Sequence, residues 1–312
     1  MSSSVPLQSA LSLPAQRHWN WRNFSITYQA MGTAGPAVVL IHGFGASWGH
    51  WRQNIPALAQ TCRVYALDLI GFGGSAKPTP DVQVSYTFET WAAQVADFCN
   101  QVVGEAAFLV GNSIGCIVAL QTAVDAPEQV RGVAMLNCSL RLLHDKHRAT
   151  LSWYRRMGAP LLQQALGWRW LGHSFFKLLA RRRTVKQILE QAYAAPERVT
   201  DELVELLLRP AADPGAADVF LAFTRYSSGP LPEELLAALE GKGIPVWVAW
   251  GVEDPWEPVE MGRGFEAFDC VESFVALQGA GHCPQDEVPE QVNALISQWV
   301  QAQGAAAPAE SA

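Results

Sequence analysis

The chain has 312 residues, 49% of them apolar and only 16% charged, where about 25% charge is usual. That length holds one large domain with an insertion, or two domains, and the composition excludes disorder, collagen and coiled coil. Twenty-two basic and 29 acidic residues leave a net charge of −7, which argues against a nucleic-acid partner, because phosphate neutralisation requires a basic face.

The charge is also unevenly placed. Arg17, Arg22, Arg52 and Arg63 precede Asp68, the first acidic residue, so residues 1–67 carry +4 and the remainder −11. Residues 1–18 lack the basic flank and continuous apolar run of a secretory signal and are expected to form a flexible leader. Next, Ala37–Ile41 is a short β-branched run that ends in His42-Gly43-Phe44-Gly45, so it reads as a buried strand entering a loop. Arg63–Leu67 before Asp68 repeats the pattern, and 87–102 has helical periodicity.

Residues 106–124 contain no charge and approach membrane-spanning length. Gly111, Asn112, Ser113 and Gly115 break the run, and Asp125 and Pro127 end it, so it is expected to form strand, sharp turn and buried helix. Further apolar runs at 132–136, 246–250 and 274–277 each stop at a polar residue or glycine, and 290–301 is again helical. Continuous apolar strands alternating with helices predict an α/β fold: a mostly parallel sheet covered on both faces, with its chemistry at the strand C-terminal ends.

The alternation stops between 141 and 236, where helix-like sequence rich in tryptophan and phenylalanine predicts a helical lid inserted between strands. The expected division is therefore a core of residues 19–140 and 237–302, a lid of 141–236, and a disordered Ala-rich tail of 303–312. Cys62, Cys99, Cys116, Cys138, Cys270 and Cys283 are dispersed, with neither a CxxC pair nor a zinc-like histidine spacing. They predict reduced thiols in a cytoplasmic protein and no metal or other cofactor.

Gly111-Asn112-Ser113-Ile114-Gly115 matches G-x-S-x-G between a strand and a helix, the turn that presents a nucleophilic serine. A serine hydroxyl needs a base, and the base needs an acid that fixes its tautomer. Only His282, in the glycine-rich turn Gly279-Ala280-Gly281-His282, follows the later strands. For the acid, Asp254 is preferred in Gly251-Val252-Glu253-Asp254-Pro255, ahead of Glu253 and Glu257, because Asn137 at the other suitable strand end cannot ionise. The backbone amides of Phe44 and Ile114 are the expected oxyanion donors. His42 is expected to brace the loop, and Trp153 and Phe220 are candidate substrate contacts.

Taken together, HGFGASWGHWRQN, YALDLIGFGGSAKP, LVGNSIGCIVALQ, PAADPGAADVFLAF, WGVEDPWEPVEMG and GHCPQDEVPE resemble the α/β-hydrolase superfamily. Within it they look like the cyanobacterial and chloroplast hydrolases that include chlorophyll dephytylase and pheophytinase. The resemblance implies a Ser113, Asp254, His282 triad and hydrolysis of the phytyl ester of chlorophyll or a related pigment. Cys116 departs from it, standing where many relatives have a second glycine. A large apolar ester is thus the expected partner; the basic run Arg181–Arg183 reads as a solvated helix end, with peripheral attraction to an anionic photosynthetic membrane as its alternative role. A general carboxylesterase, serine-triad haloperoxidase-like chemistry, carbon–carbon bond hydrolysis and a non-catalytic ligand receptor stand as alternatives.

Overall fold

The computed structural model describes residues 15–142, 144–146 and 168–306. Among these residues eight strands form one sheet: β1 (Arg17–Trp21), β2 (Phe24–Met31), β3 (Ala37–Ile41), β4 (Arg63–Leu67), β5 (Ala107–Ser113), β6 (Val130–Cys138), β7 (Val246–Gly251) and β8 (Val271–Leu277). Their spatial order is β1-β2-β4-β3-β5-β6-β7-β8. Pairing is parallel from β4 to β8, while β1 and β2 add an antiparallel hairpin at one edge.

The central strands are apolar throughout because both faces are covered. Along β3, Val39 and Ile41 enter one core and Val38 and Leu40 the other. The first core is closed by α1 (Phe88–Phe98) and α2 (Ile114–Asp125), the second by α8 (Pro289–Ala306) through Val292, Ile296 and Trp299. Fully burying each such aliphatic or aromatic side chain contributes roughly 1.5–3 kcal/mol. The uncharged 106–124 run is β5 and α2, and α2 is buried on nearly every side. No helix among the described residues is long and apolar enough to cross a membrane.

Between β6 and β7 the chain forms α3 (Arg169–Leu179), α4 (Arg182–Ala192), α5 (Asp201–Ala211), α6 (Ala216–Arg225) and α7 (Pro232–Leu239). Three boundaries differ from expectation. Strand β1 starts at Arg17, inside the expected leader, because it pairs with β2. Helix α7 belongs with the core rather than straddling its border, since Leu235, Leu236 and Leu239 bury in the first core. Helix α8 continues past 302 to Ala306. Helix α1 is extended by a wider turn to Val103 and stopped by Gly104, whose φ of 80° suits glycine.

Candidate active site

Ser113 ends β5 and precedes the first residue of α2, with φ 57° and ψ −122°. Such backbone costs on the order of 1–3 kcal/mol and persists only where its surroundings enforce it. Here the two flanking glycines let three elements meet. A Cβ on Gly111 would lie 2.4 Å from the Gly115 backbone, and one on Gly115 would lie 2.4 Å from the Ile41 carbonyl oxygen. The Asn112 side-chain amide donates to the carbonyls of Leu136, at 3.1 Å, and His282, at 3.0 Å, tying this turn to the histidine loop. Cys116 sits behind it, buried, within 3.2 Å of the Gly111 carbonyl.

The loops after β7 and β8 bring Asp254 and His282 together, with Nδ1 2.8 Å from Oδ2. Asp254 Oδ2 also accepts from the Asn137 side-chain amide at 2.7 Å, and Oδ1 accepts from the backbone amides of Trp256, at 2.8 Å, and Glu257, at 3.0 Å. Burial pushes the Asp254 carboxyl up, but the hydrogen bond and charge of His282, the Asn137 amide and the Glu257 amide outweigh it and hold it below its ordinary value. The ionised carboxylate therefore accepts a hydrogen bond from Nδ1–H, fixing that tautomer, and leaves the His282 Nε2 lone pair available as a base.

A buried carboxylate fixes the histidine loop from behind. Glu287 Oε1 accepts from the amides of Gly281, at 2.9 Å, and Cys283, at 3.1 Å, and its Oε2 from Ala194, at 2.7 Å. The His282 amide donates to the Ala192 carbonyl at 2.8 Å. A Cβ on Gly281 would come within 2.3 Å of that same oxygen.

The loop after β3 carries Phe44. Neither its amide nor that of Ile114 donates to another group among the described residues, and the Ile114 amide lies at the positive end of α2. His42 braces this loop: Nδ1–H donates to the Gly43 carbonyl at 2.7 Å while Nε2 accepts from the Leu69 amide at 3.1 Å. Burial lowers its pKa to about 4, so it is neutral.

Ser113, His282, Phe44, His50, Trp256 and Glu257 share one cavity of about 370 Å³. Apart from Asn112 its remaining wall is largely apolar, with Phe176, Leu179, Val185, Ile188, Leu207 and Phe220 from the helical insertion. Phe220 packs 5.5 Å, ring centre to ring centre, from Phe44, which itself stacks on Phe223 at 4.6 Å. The Trp256 ring lies 5.0 Å from His282 and is 42% exposed. Trp153 lies outside the described residues.

Two polar side chains in this wall each have a buried atom without a hydrogen-bond partner: His50 Nδ1 and Glu257 Oε2. The Tyr193 hydroxyl donates to Asp286 Oδ2 at 2.8 Å, so His50 Nε2–H, 3.1 Å away, donates to the tyrosine oxygen. Burial lowers the His50 pKa to about 4, leaving Nδ1 an acceptor. Burial raises the Glu257 carboxyl to about 7.

The structure thus brings Ser113, Asp254, His282, Phe44, Ile114 and Phe220 to one place, while Glu253 instead faces the Gly279 and Ala280 amides. Sequence reasoning missed Asn137 as a partner of Asp254, and Glu287 and Trp256 altogether. Among the described residues no group of three His, Cys, Asp or Glu could hold a metal ion.

A family model described as the alpha/beta hydrolase family matches residues 38–295. Chloroplastic pheophytinase of Arabidopsis thaliana is 26% identical over 318 aligned positions, covering 91% of this chain and 66% of that protein. The dihydrolipoyllysine-residue acetyltransferase component of an acetoin cleaving system from Cupriavidus necator is 28% identical, covering 87% of this chain and 65% of that protein. The chain therefore spans just under two thirds of the length of these curated relatives. A solved serine hydrolase involved in carbazole degradation superposes with a TM-score of 0.73 at 20% identity, covering 92% of this chain and 99% of that one.

Proposed function

Because the chain belongs to the alpha/beta hydrolase family, we propose that it is a serine ester hydrolase whose substrate is a large apolar ester, in particular the phytyl ester of a chlorophyll-type pigment. The observation that carries the chemistry is the buried His282–Asp254 pair at 2.8 Å, whose histidine lines the same cavity as the strained Ser113. In this reading His282 Nε2 takes the Ser113 proton as Oγ attacks the ester carbonyl. The oxyanion of the tetrahedral intermediate is received by the Phe44 and Ile114 amides. Collapse expels the alcohol, protonated by His282, and a water activated by the same imidazole cleaves the acyl-enzyme. No metal or other cofactor takes part in this scheme.

The pigment part of the reading is supported by the pheophytinase relative and by the apolar cavity wall. At about 370 Å³ the cavity is at the small end of the roughly 300–1,000 Å³ range for ligand sites, so it would enclose the region of the ester while the rest of a pigment lies at the mouth. On the helical insertion Trp168 and Trp170 are 63% and 67% exposed, Leu178 is half exposed, and Arg181–Arg183 begin the turn into α4. Aromatic and basic groups together suit an anionic lipid surface, and the helical insertion would then act as a lid.

Product analysis tests the proposal. The protein is incubated with chlorophyll, pheophytin, simple acyl esters and a vinylogous diketone, and the released alcohols and acids are identified. Release of phytol by wild type and its loss in Ser113→Ala are expected. Cleavage of the diketone alone would replace ester hydrolysis by carbon–carbon bond hydrolysis, and turnover unchanged in Ser113→Ala would end the serine mechanism.

A further inference from the structure

The cavity has two sides, and the sheet order separates them. Strand β3, which leads to Phe44, lies on one side of β5 and its Ser113, while β6, β7 and β8 lie on the other, and the last two lead to Asp254 and His282. In the scheme above the alcohol oxygen must come within hydrogen-bond reach of His282 Nε2, because that atom protonates it as it leaves. The alcohol therefore passes the side chains around His282, and the acyl group takes the wall on the Phe44 side.

Contacts identify the residues of each side. The Trp256 ring stands 5.0 Å from the His282 ring, inclined at 55°, and lines the cavity. Helix α4 is tied to the same loop, since its last residue, Ala192, accepts from the His282 amide at 2.8 Å. Val185, Ile188, Leu189 and Ala192 recur at helical spacing along the face of α4 that lines the cavity. On the other side Phe220 packs 5.5 Å from Phe44, and Phe176 packs 5.3 Å from Phe220.

Two residues of the histidine side keep large apolar surface in water while also lining the cavity: Trp256, 42% exposed, and Ile188, 38% exposed. A tryptophan offers a broad rigid surface that gains free energy when an apolar group covers it. We infer that Trp256 and Ile188 form the subsite for the leaving alcohol, an aliphatic one whose first carbons lie against the Trp256 ring and whose chain continues along α4. These two residues then select the alcohol of the ester, and Phe176 and Phe220 meet its acid. The inference rests on the serine ester hydrolase reading and deepens it by assigning each end of the ester to a wall.

Three esters test it: ethyl butanoate, octyl butanoate, longer only in the alcohol, and ethyl decanoate, longer only in the acid by the same number of methylenes. The kcat/KM ratios octyl to ethyl and decanoate to butanoate are measured in wild type, Trp256→Ala, Ile188→Ser and Phe220→Ala. A methylene removed from apolar contact changes affinity about fourfold, so a contact spanning two of them corresponds to about fifteenfold. In Trp256→Ala the alcohol ratio should fall by about that factor and the acid ratio should hold, with a smaller fall of the same kind in Ile188→Ser. Phe220→Ala should lower the acid ratio and spare the alcohol ratio. A general loss of rate from a disturbed His282 cancels within each ratio, and Ile188→Ser, at an exposed position, gives the answer even where Trp256→Ala does not fold.

An alcohol ratio unchanged in either folded variant, or an acid ratio that falls equally with it, overturns the inference. Failure of wild type to cleave any of the esters would instead refute the hydrolase reading. Calorimetric titration with octan-1-ol and with octanoate would then decide the subsite: weaker binding of the alcohol alone in Trp256→Ala and Ile188→Ser upholds it, and unchanged alcohol binding or equal losses on both probes overturn it.

Discussion

Replacing Asp254 by Asn tests the arrangement most directly, because the structure dictates which way the new amide must face. Oδ1 accepts from two backbone amides, Trp256 and Glu257, so the oxygen of Asn must remain there. The NH₂ group then takes the place of Oδ2, where it meets His282 Nδ1 and the Asn137 side-chain amide, both donors. Asn137 cannot turn over to help, since its Oδ1 accepts from the Gly251 amide at 2.9 Å. The imidazole can respond only by moving its proton to Nε2, which removes the base from Ser113. A wrong-tautomer defect of this kind lowers kcat by about 10⁴, or roughly 5 kcal/mol in activation free energy. Burst titration with a p-nitrophenyl ester, followed by steady-state rates, separates loss of rate from loss of folded sites. A fully folded Asp254→Asn protein with kcat within tenfold of wild type would refute this assignment of the carboxylate.

Three further outcomes follow from the same geometry. Glu287→Ala leaves the Gly281, Cys283 and Ala194 amides without their acceptor; at about 1–3 kcal/mol for an unsatisfied buried donor, urea unfolding should show a loss of at least about 3 kcal/mol. Gly115→Ala forces a Cβ to within 2.4 Å of the Ile41 carbonyl oxygen, so its thermal unfolding temperature should drop sharply and soluble yield with it. Glu257→Gln should change how stability depends on pH. A carboxyl raised from 4.5 to about 7 in the folded protein makes the unfolded chain release its proton first, so wild type loses up to about 3 kcal/mol as pH rises from 4.5 to 7. The variant, compared by denaturant titration, should match wild type below pH 4.5 and exceed it above pH 7.

Much of this was legible in the residues. Ala37–Ile41 and Arg63–Leu67 are strands with the predicted ends, because a strand covered on both faces advertises itself as an unbroken apolar run. The Gly111–Gly115 motif located the serine turn, since glycines there relieve contacts with neighbouring backbone. The supporting residues were hidden for a physical reason. Asn137 partners Gly251 and Asp254, more than a hundred residues away, and Glu287 accepts from backbone amides, which leave no trace in side-chain pattern. The β1–β2 hairpin was missed because its edge position leaves β1 mostly exposed. Trp153, chosen only for its place in an aromatic stretch, is outside the described residues, whereas the aromatic beside His282 is Trp256.

The bonds from Ala192 and Ala194 to the histidine loop bear on how such a chain could be recombined. An exchange of the helical insertion with that of another protein, cut at its obvious ends near β6 and β7, would carry residues 192–194 away and remove the carbonyl and amide on which the His282 loop rests. The transplantable piece is smaller, ending before Ala192, so that the framework of the base stays with the host together with Leu207 and Phe220, and only the part of the cavity wall that precedes Ala192 is exchanged.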